Sequence, residues 1–173
     1  MKFIKNILFL SLAVTCLKNA SAQTEYVSVE KDGTKIIRGF ITRQQLETDT
    51  AFKWYAENKK GYTPYASALK VAQTNKDSVQ FLVFGGTWCS DTRFILPKFF
   101  TLVDAAGFSP NRVTMIGVDR SKKTVHNLSE AFNVLNVPTI IVLKNGREVG
   151  RVVEYGTSGM FDKDLGEILT NKK

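Results

Sequence analysis

Residues 85–93 read GGTWCSDTR. Three residues after Cys89, where a second cysteine would complete a C-x-x-C redox pair, stands Thr92. One cysteine can still act as a nucleophile: its thiolate attacks a disulfide sulfur and forms a mixed disulfide. Without a second internal thiol, that adduct is released only by an outside thiol such as glutathione, or by the substrate's own second cysteine. A free cysteine with a pKa of about 8.5 is mostly protonated at neutral pH, so its neighbours must favour the charged form. The spacing lets Thr92 donate a hydrogen bond to the Cys89 sulfur. Asp91 opposes it, because a nearby carboxylate disfavours a second negative charge. Arg93 is placed to offset Asp91, and Asp91 also suits the first turn of a helix.

Other site chemistries lack their residues. His126 is the only histidine, and besides Cys89 the chain has only Cys16. One histidine with one mature cysteine cannot build a zinc site of ordinary composition, so no metal is expected. There is no C-x-x-C-H for haem, and FGGTWC lacks the lysine and glycine spacing of a phosphate loop. No cofactor is implied. The formal net charge is +8, but the lysines lie in scattered pairs such as Lys59-Lys60 and Lys122-Lys123. They make no basic stripe interleaved with aromatics, which excludes a nucleic-acid partner.

The N-terminus reads as a targeting segment. Lys2 and Lys5 precede ILFLSLAV, which ends near Ala20-Ser21-Ala22, the layout of a secretory signal peptide. The expectation is removal of residues 1–22 and an exported protein, periplasmic or secreted, that starts near Gln23. The alternative is lipid anchoring through Cys16 in LAVTC, although Thr15 is a poor residue before a lipidated cysteine. The apolar run is short for a bilayer span, and no later run is longer, so no transmembrane segment is expected in the mature chain. Cys89 is then the one mature cysteine, either reactive or buried and inert.

Several elements must position that cysteine. Residues 26–41 alternate weakly around a Lys-Asp-Gly-Thr turn and predict a hairpin. Residues 42–60 predict irregular helix, which completes an N-terminal extension over 23–60. A helix over 64–75 follows Pro64 at its start. VQFLVFGG is a continuous apolar run ended by glycines, the pattern of a strand buried on both faces. Cys89 then opens the next helix, which Pro97 should kink. RVTMIGVD predicts a strand and KKTVHNLSEAFNVL a helix. PTIIVLKNGREVGRVVEY predicts two strands joined at Asn145-Gly146, and the stripe Phe161, Leu165, Ile168 and Leu169 predicts a last helix. The order is that of an α/β domain over 61–173, a mixed central sheet with helices on both faces.

These residues resemble the thioredoxin family over about 64–171. The resemblance rests on FLVFGGTWC, Pro97 five residues after Thr92, NVPTIIVLKNGREVG and the closing helix. TWCSDT, GVDRSKK and EVGRVVEY are similar to an exported bacterial subgroup with W-C-x-D and a hydroxyl residue in the second cysteine position. The resemblance implies a thioredoxin-like fold, a cis-proline at Pro138 beside the sulfur, and protein or small-molecule disulfides and thiols as partners. Trp88 would shield the sulfur, and Pro138 with the backbone of Val137 would offer an edge to a substrate peptide. The chain departs from the family in three places. Thr92 replaces the resolving cysteine, Val83 occupies the position of a buried acid, and Met115 lies near that of its partner lysine. The competing expectation is a redox-inactive binding module, with the groove or the aromatics Phe52, Trp54 and Tyr55 as its contact surface.

Overall fold

The structure, a computed structural model, describes residues 25–170. Residues 1–22, where a signal peptide was expected, and with them Cys16, lie outside the described residues. Six strands form one sheet in the order β1-β2-β4-β3-β5-β6. The strands are β1 (Tyr26–Lys31), β2 (Thr34–Ile41), β3 (Val79–Gly85), β4 (Val113–Gly117), β5 (Thr139–Lys144) and β6 (Arg147–Val153). Only β3 and β4 run parallel; the other neighbouring pairs are antiparallel. The hairpin turns have glycine where the backbone must be left-handed: Asp32-Gly33 and Asn145-Gly146 all have φ between 51° and 73°, as type I′ turns require.

Strand β3 is the centre. Its apolar run allows burial on both faces, and all its residues except Gln80 are buried. Phe81 and Val83 face a larger core built with the helices α1 (Arg43–Thr48), α2 (Trp54–Lys59), α3 (Ala66–Asn75), α4 (Ser90–Ala106) and α6 (Phe161–Thr170). Leu82 and Phe84 face a smaller core, where Leu128 of α5 (Leu128–Ala131), Phe132, Val134 and Val137 pack with Ile116 and Ile141. This is the mixed sheet with helices on both faces that the resemblance implies.

The hairpin β1-β2 is joined to this sheet through β2 and β4. The strands meet closely because Gly39 pairs with Gly117, and a side chain at Gly117 would run into the Ile37 carbonyl. Behind β2, Thr42 opens α1 with a capping box shared with Gln45, which satisfies two backbone donors at the helix start.

Two expectations need correction. The helix expected over 122–135 shrinks to the four residues of α5. Lys122, His126, Asn127 and Asn133 have φ between 51° and 59°, outside the helical region. The Asp119 side chain also accepts from the backbone N–H of Ser121 and Lys123, holding a turn where helix was expected. The aromatics of the extension, in turn, are not a free contact surface. Phe52 and Tyr55 are each 2% exposed and Trp54 is half-buried against the core.

Candidate active site

Cys89 is the N-cap of α4, a helix of 17 residues, and has extended backbone. Strand β3 delivers it through Gly86, Thr87 and Trp88, where Cys89 N–H donates to the Gly86 carbonyl at 2.9 Å. The sulfur is half-buried, and the thiol donates to the Val137 carbonyl at 3.2 Å. The Val137–Pro138 peptide bond is cis, and both residues are buried. Sulfur, Val137 and Pro138 therefore form one face at the end of the sheet, with the unpaired N–H groups of the first turn of α4 beside them.

The loop around the sulfur is fixed on each side. Trp88 lies over Gly86 and donates from Nε1 to the Val118 carbonyl at 2.9 Å. The Arg120 guanidinium sits 5.5 Å from the Trp88 ring centre, within reach of a cation–π attraction. Thr87 is 0% exposed. Its hydroxyl donates to the Lys35 carbonyl at 2.8 Å and accepts from Ile37 N–H at 3.3 Å, so β2 grips the loop.

Thr92 does not follow its expected role. Its hydroxyl oxygen accepts from Gly86 N–H at 3.2 Å, and no hydrogen bond joins it to Cys89 among the described residues. It lies on the inner face of the first turn, fully buried, with its methyl against Gly85. The hydroxyl thus satisfies the backbone where β3 ends. Arg93 also turns elsewhere: its Nε donates to the Thr87 carbonyl at 2.8 Å, and it makes no ion pair with Asp91 among the described residues. Asp91 accepts from the Tyr155 hydroxyl at 3.2 Å.

Below the loop the sheet is apolar. Val83 and Met115 are register partners across β3 and β4, 0% and 4% exposed. Among the described residues no cluster of histidine, cysteine and carboxylates could hold a metal ion. Three residues escaped the sequence reading. Thr87 and Tyr155 act through contacts to segments 50 and 64 residues away, and Arg120 stacks on Trp88 from the loop after β4.

The family model for thioredoxin matches residues 65–165, the stretch from the start of α3 into α6. The chain belongs to the thioredoxin family. Thioredoxin relatives include a protein of Chlamydia pneumoniae, 33% identical over 89 residues, which are 51% of this chain and 76% of that protein. A thioredoxin of Echinococcus granulosus is 31% identical over 77 residues, 44% of this chain and 66% of that protein. Among solved structures, thioredoxin from Fasciola hepatica aligns with 60% of this chain and 89% of its own, at 26% identity and a TM-score of 0.40. The thioredoxin match contains Cys89, Pro138 and Tyr155, while the bracing hairpin β1-β2 precedes it.

Proposed function

We propose that this thioredoxin-family protein is an exported thiol–disulfide oxidoreductase that works through the single cysteine Cys89. The observation that carries the reading is the placement of the Cys89 sulfur at the N-cap of α4, half-buried and against the Val137 carbonyl. Free N–H groups and the helix macrodipole favour a negative sulfur there.

In the reaction the Cys89 thiolate attacks one sulfur of a substrate disulfide. A Cys89–substrate disulfide forms, the substrate S–S bond breaks, and the second sulfur leaves as a thiolate that takes a proton from water. An external thiolate then attacks the adduct, regenerates Cys89 and carries the substrate sulfur away. Electrons balance over the two exchanges without a cofactor. The Val137–Pro138 backbone beside the sulfur receives the substrate backbone, and Trp88, pinned by the Val118 carbonyl, flanks the cysteine loop.

The test uses the protein from Gln23 onward with hydroxyethyl disulfide, followed by intact-mass measurement. The expected result is one adduct on Cys89, cleared by glutathione and lost in Cys89→Ser. If the folded protein forms no adduct with this disulfide or with oxidised glutathione, the reading is wrong and the fold serves binding alone.

A further inference from the structure

The first turn of α4 sets a carboxylate, Asp91, two residues from the nucleophile. A carboxylate near a thiol opposes a negative sulfur, and Arg93 is committed to the Thr87 carbonyl. Asp91 accepts a long hydrogen bond from its neighbour Ser90, at 3.4 Å, and a second, closer one from the other end of the domain. The Tyr155 hydroxyl donates to Asp91 at 3.2 Å.

The segment after β6 is built to hold this phenol in place. Glu154 is left-handed, φ 53°, a conformation disfavoured for a non-glycine residue. Its N–H donates to the Pro138 carbonyl at 2.7 Å, so the chain is fastened to the same cis-proline segment that faces the sulfur. Gly156, also left-handed at φ 79°, turns the chain back, with its N–H on the Val153 carbonyl at 2.9 Å. Thr157 and Ser158 are then clamped by the buried Asp164 carboxylate through four hydrogen bonds. The Tyr155 ring rests on Phe94 of α4, centroids 5.9 Å apart. Contacts from the cis-proline segment, α6 and α4 thus fix one exposed tyrosine.

We infer that Tyr155 is a positioning residue for the Cys89 thiol, acting through Asp91: its hydroxyl binds the carboxylate and blunts the carboxylate's opposition to the thiolate. This rests on the reading of Cys89 as a nucleophile. Burial, then the charge of Asp91, its hydrogen bond and the charges of Cys89 and Glu154 hold the Tyr155 phenol above its ordinary ionisation range. It therefore stays a donor across the neutral range. The other charged groups around the site are Arg93, tied to Thr87, Arg120 over Trp88, Lys98 over Phe94 and Glu154 beside the phenol.

The experiment measures the rate of Cys89 alkylation by iodoacetamide against pH in the wild type, Tyr155→Phe, Asp91→Asn and the double variant. In this step an S–C bond forms, iodide leaves and the thiol proton passes to water. Tyr155→Phe keeps the ring on Phe94 and removes only the donor. Its expected effect is an alkylation rate about three- to tenfold lower at pH 7 and a profile displaced toward alkaline pH. Asp91→Asn alkylates at least as fast as the wild type, and the double variant matches Asp91→Asn. A Tyr155→Phe profile that overlays the wild type overturns the inference. So does a defect of equal size in the Asp91→Asn background, which would place the effect of Tyr155 outside Asp91. Alkylation reads the thiol whether or not disulfides react, so failure here is distinct from absence of a mixed disulfide.

Discussion

The Cys89 loop is held from two sides by bonds of different kinds. From the hairpin side, the Thr87 hydroxyl meets backbone groups of Lys35 and Ile37, at a side chain with no solvent exposure. From the β6 side, the exposed Tyr155 side chain meets the half-buried carboxylate of Asp91. A buried hydrogen bond to backbone matters mainly for stability, because its loss strands partners that water cannot reach. One at the rim has water as a substitute, so its loss alters local charge more than folding. The difference divides the site into a part that fixes where the sulfur is and a part that sets how readily it reacts.

The largest effect is expected at the buried brace. Thr87→Val leaves Ile37 N–H and the Lys35 carbonyl unpaired and should cost roughly 2–6 kcal/mol in urea unfolding, at about 1–3 kcal/mol for each stranded group. A loss below about 0.5 kcal/mol would mean that the hairpin lies on the sheet without supporting the loop.

Asp164, the clamp behind Tyr155, comes next. Burial works to raise its carboxyl, but hydrogen bonds from Ser158 and Thr157 outweigh that and hold it below its ordinary value. A lowered folded value means stability that is present above the unfolded pKa of about 3.9 and lost as pH falls through the folded value. Asp164→Asn should therefore cost about 1–3 kcal/mol at pH 7, and its difference from the wild type should shrink as urea midpoints are followed down in acid. A difference that stays constant to low pH would separate the clamp from ionisation of Asp164.

How much of this was legible follows the range of the signal. Strand β3 and the β5-β6 hairpin were readable because an unbroken apolar run and an Asn-Gly pair act over a few residues. Cys89 and Pro138 were readable as motif positions. The 122–135 segment misled because Val125, Leu128, Phe132 and Leu135 have near-helical spacing, while the left-handed backbone at His126, Asn127 and Asn133 leaves no such mark. Thr92 misled for a related reason. Spacing of three brings it to the first turn but does not say that its side chain points inward to Gly86 rather than outward to the sulfur. Thr87 and Tyr155 bond to segments distant in sequence, and one sequence carries no record of which distant residues meet.

A smaller effect is expected from Arg93, which grips the carbonyl of the residue whose hydroxyl the hairpin holds. Arg93→Met keeps the stem and removes the donor, and should lower stability by about 1 kcal/mol. If the hairpin and Arg93 hold the same loop, the double variant with Thr87→Val should lose less than the sum of the two single losses. Strict additivity would show two independent anchors.

The smallest stability effect belongs to Tyr155→Phe, within about 0.5 kcal/mol in urea unfolding, as is usual for surface changes that spare packing. The ring stays on Phe94, Glu154 keeps its bond to the Pro138 carbonyl, and the lost partner of Asp91 is replaced by water. This near-silence gives the comparison its sharpest form. The variant that barely moves the urea midpoint is expected to slow the thiol, whereas Thr87→Val unfolds the protein more easily through groups that never touch the sulfur. A Tyr155→Phe variant as unstable as Thr87→Val would make both sides structural braces, because any slowing of Cys89 would then follow from a loosened loop and not from an unshielded carboxylate.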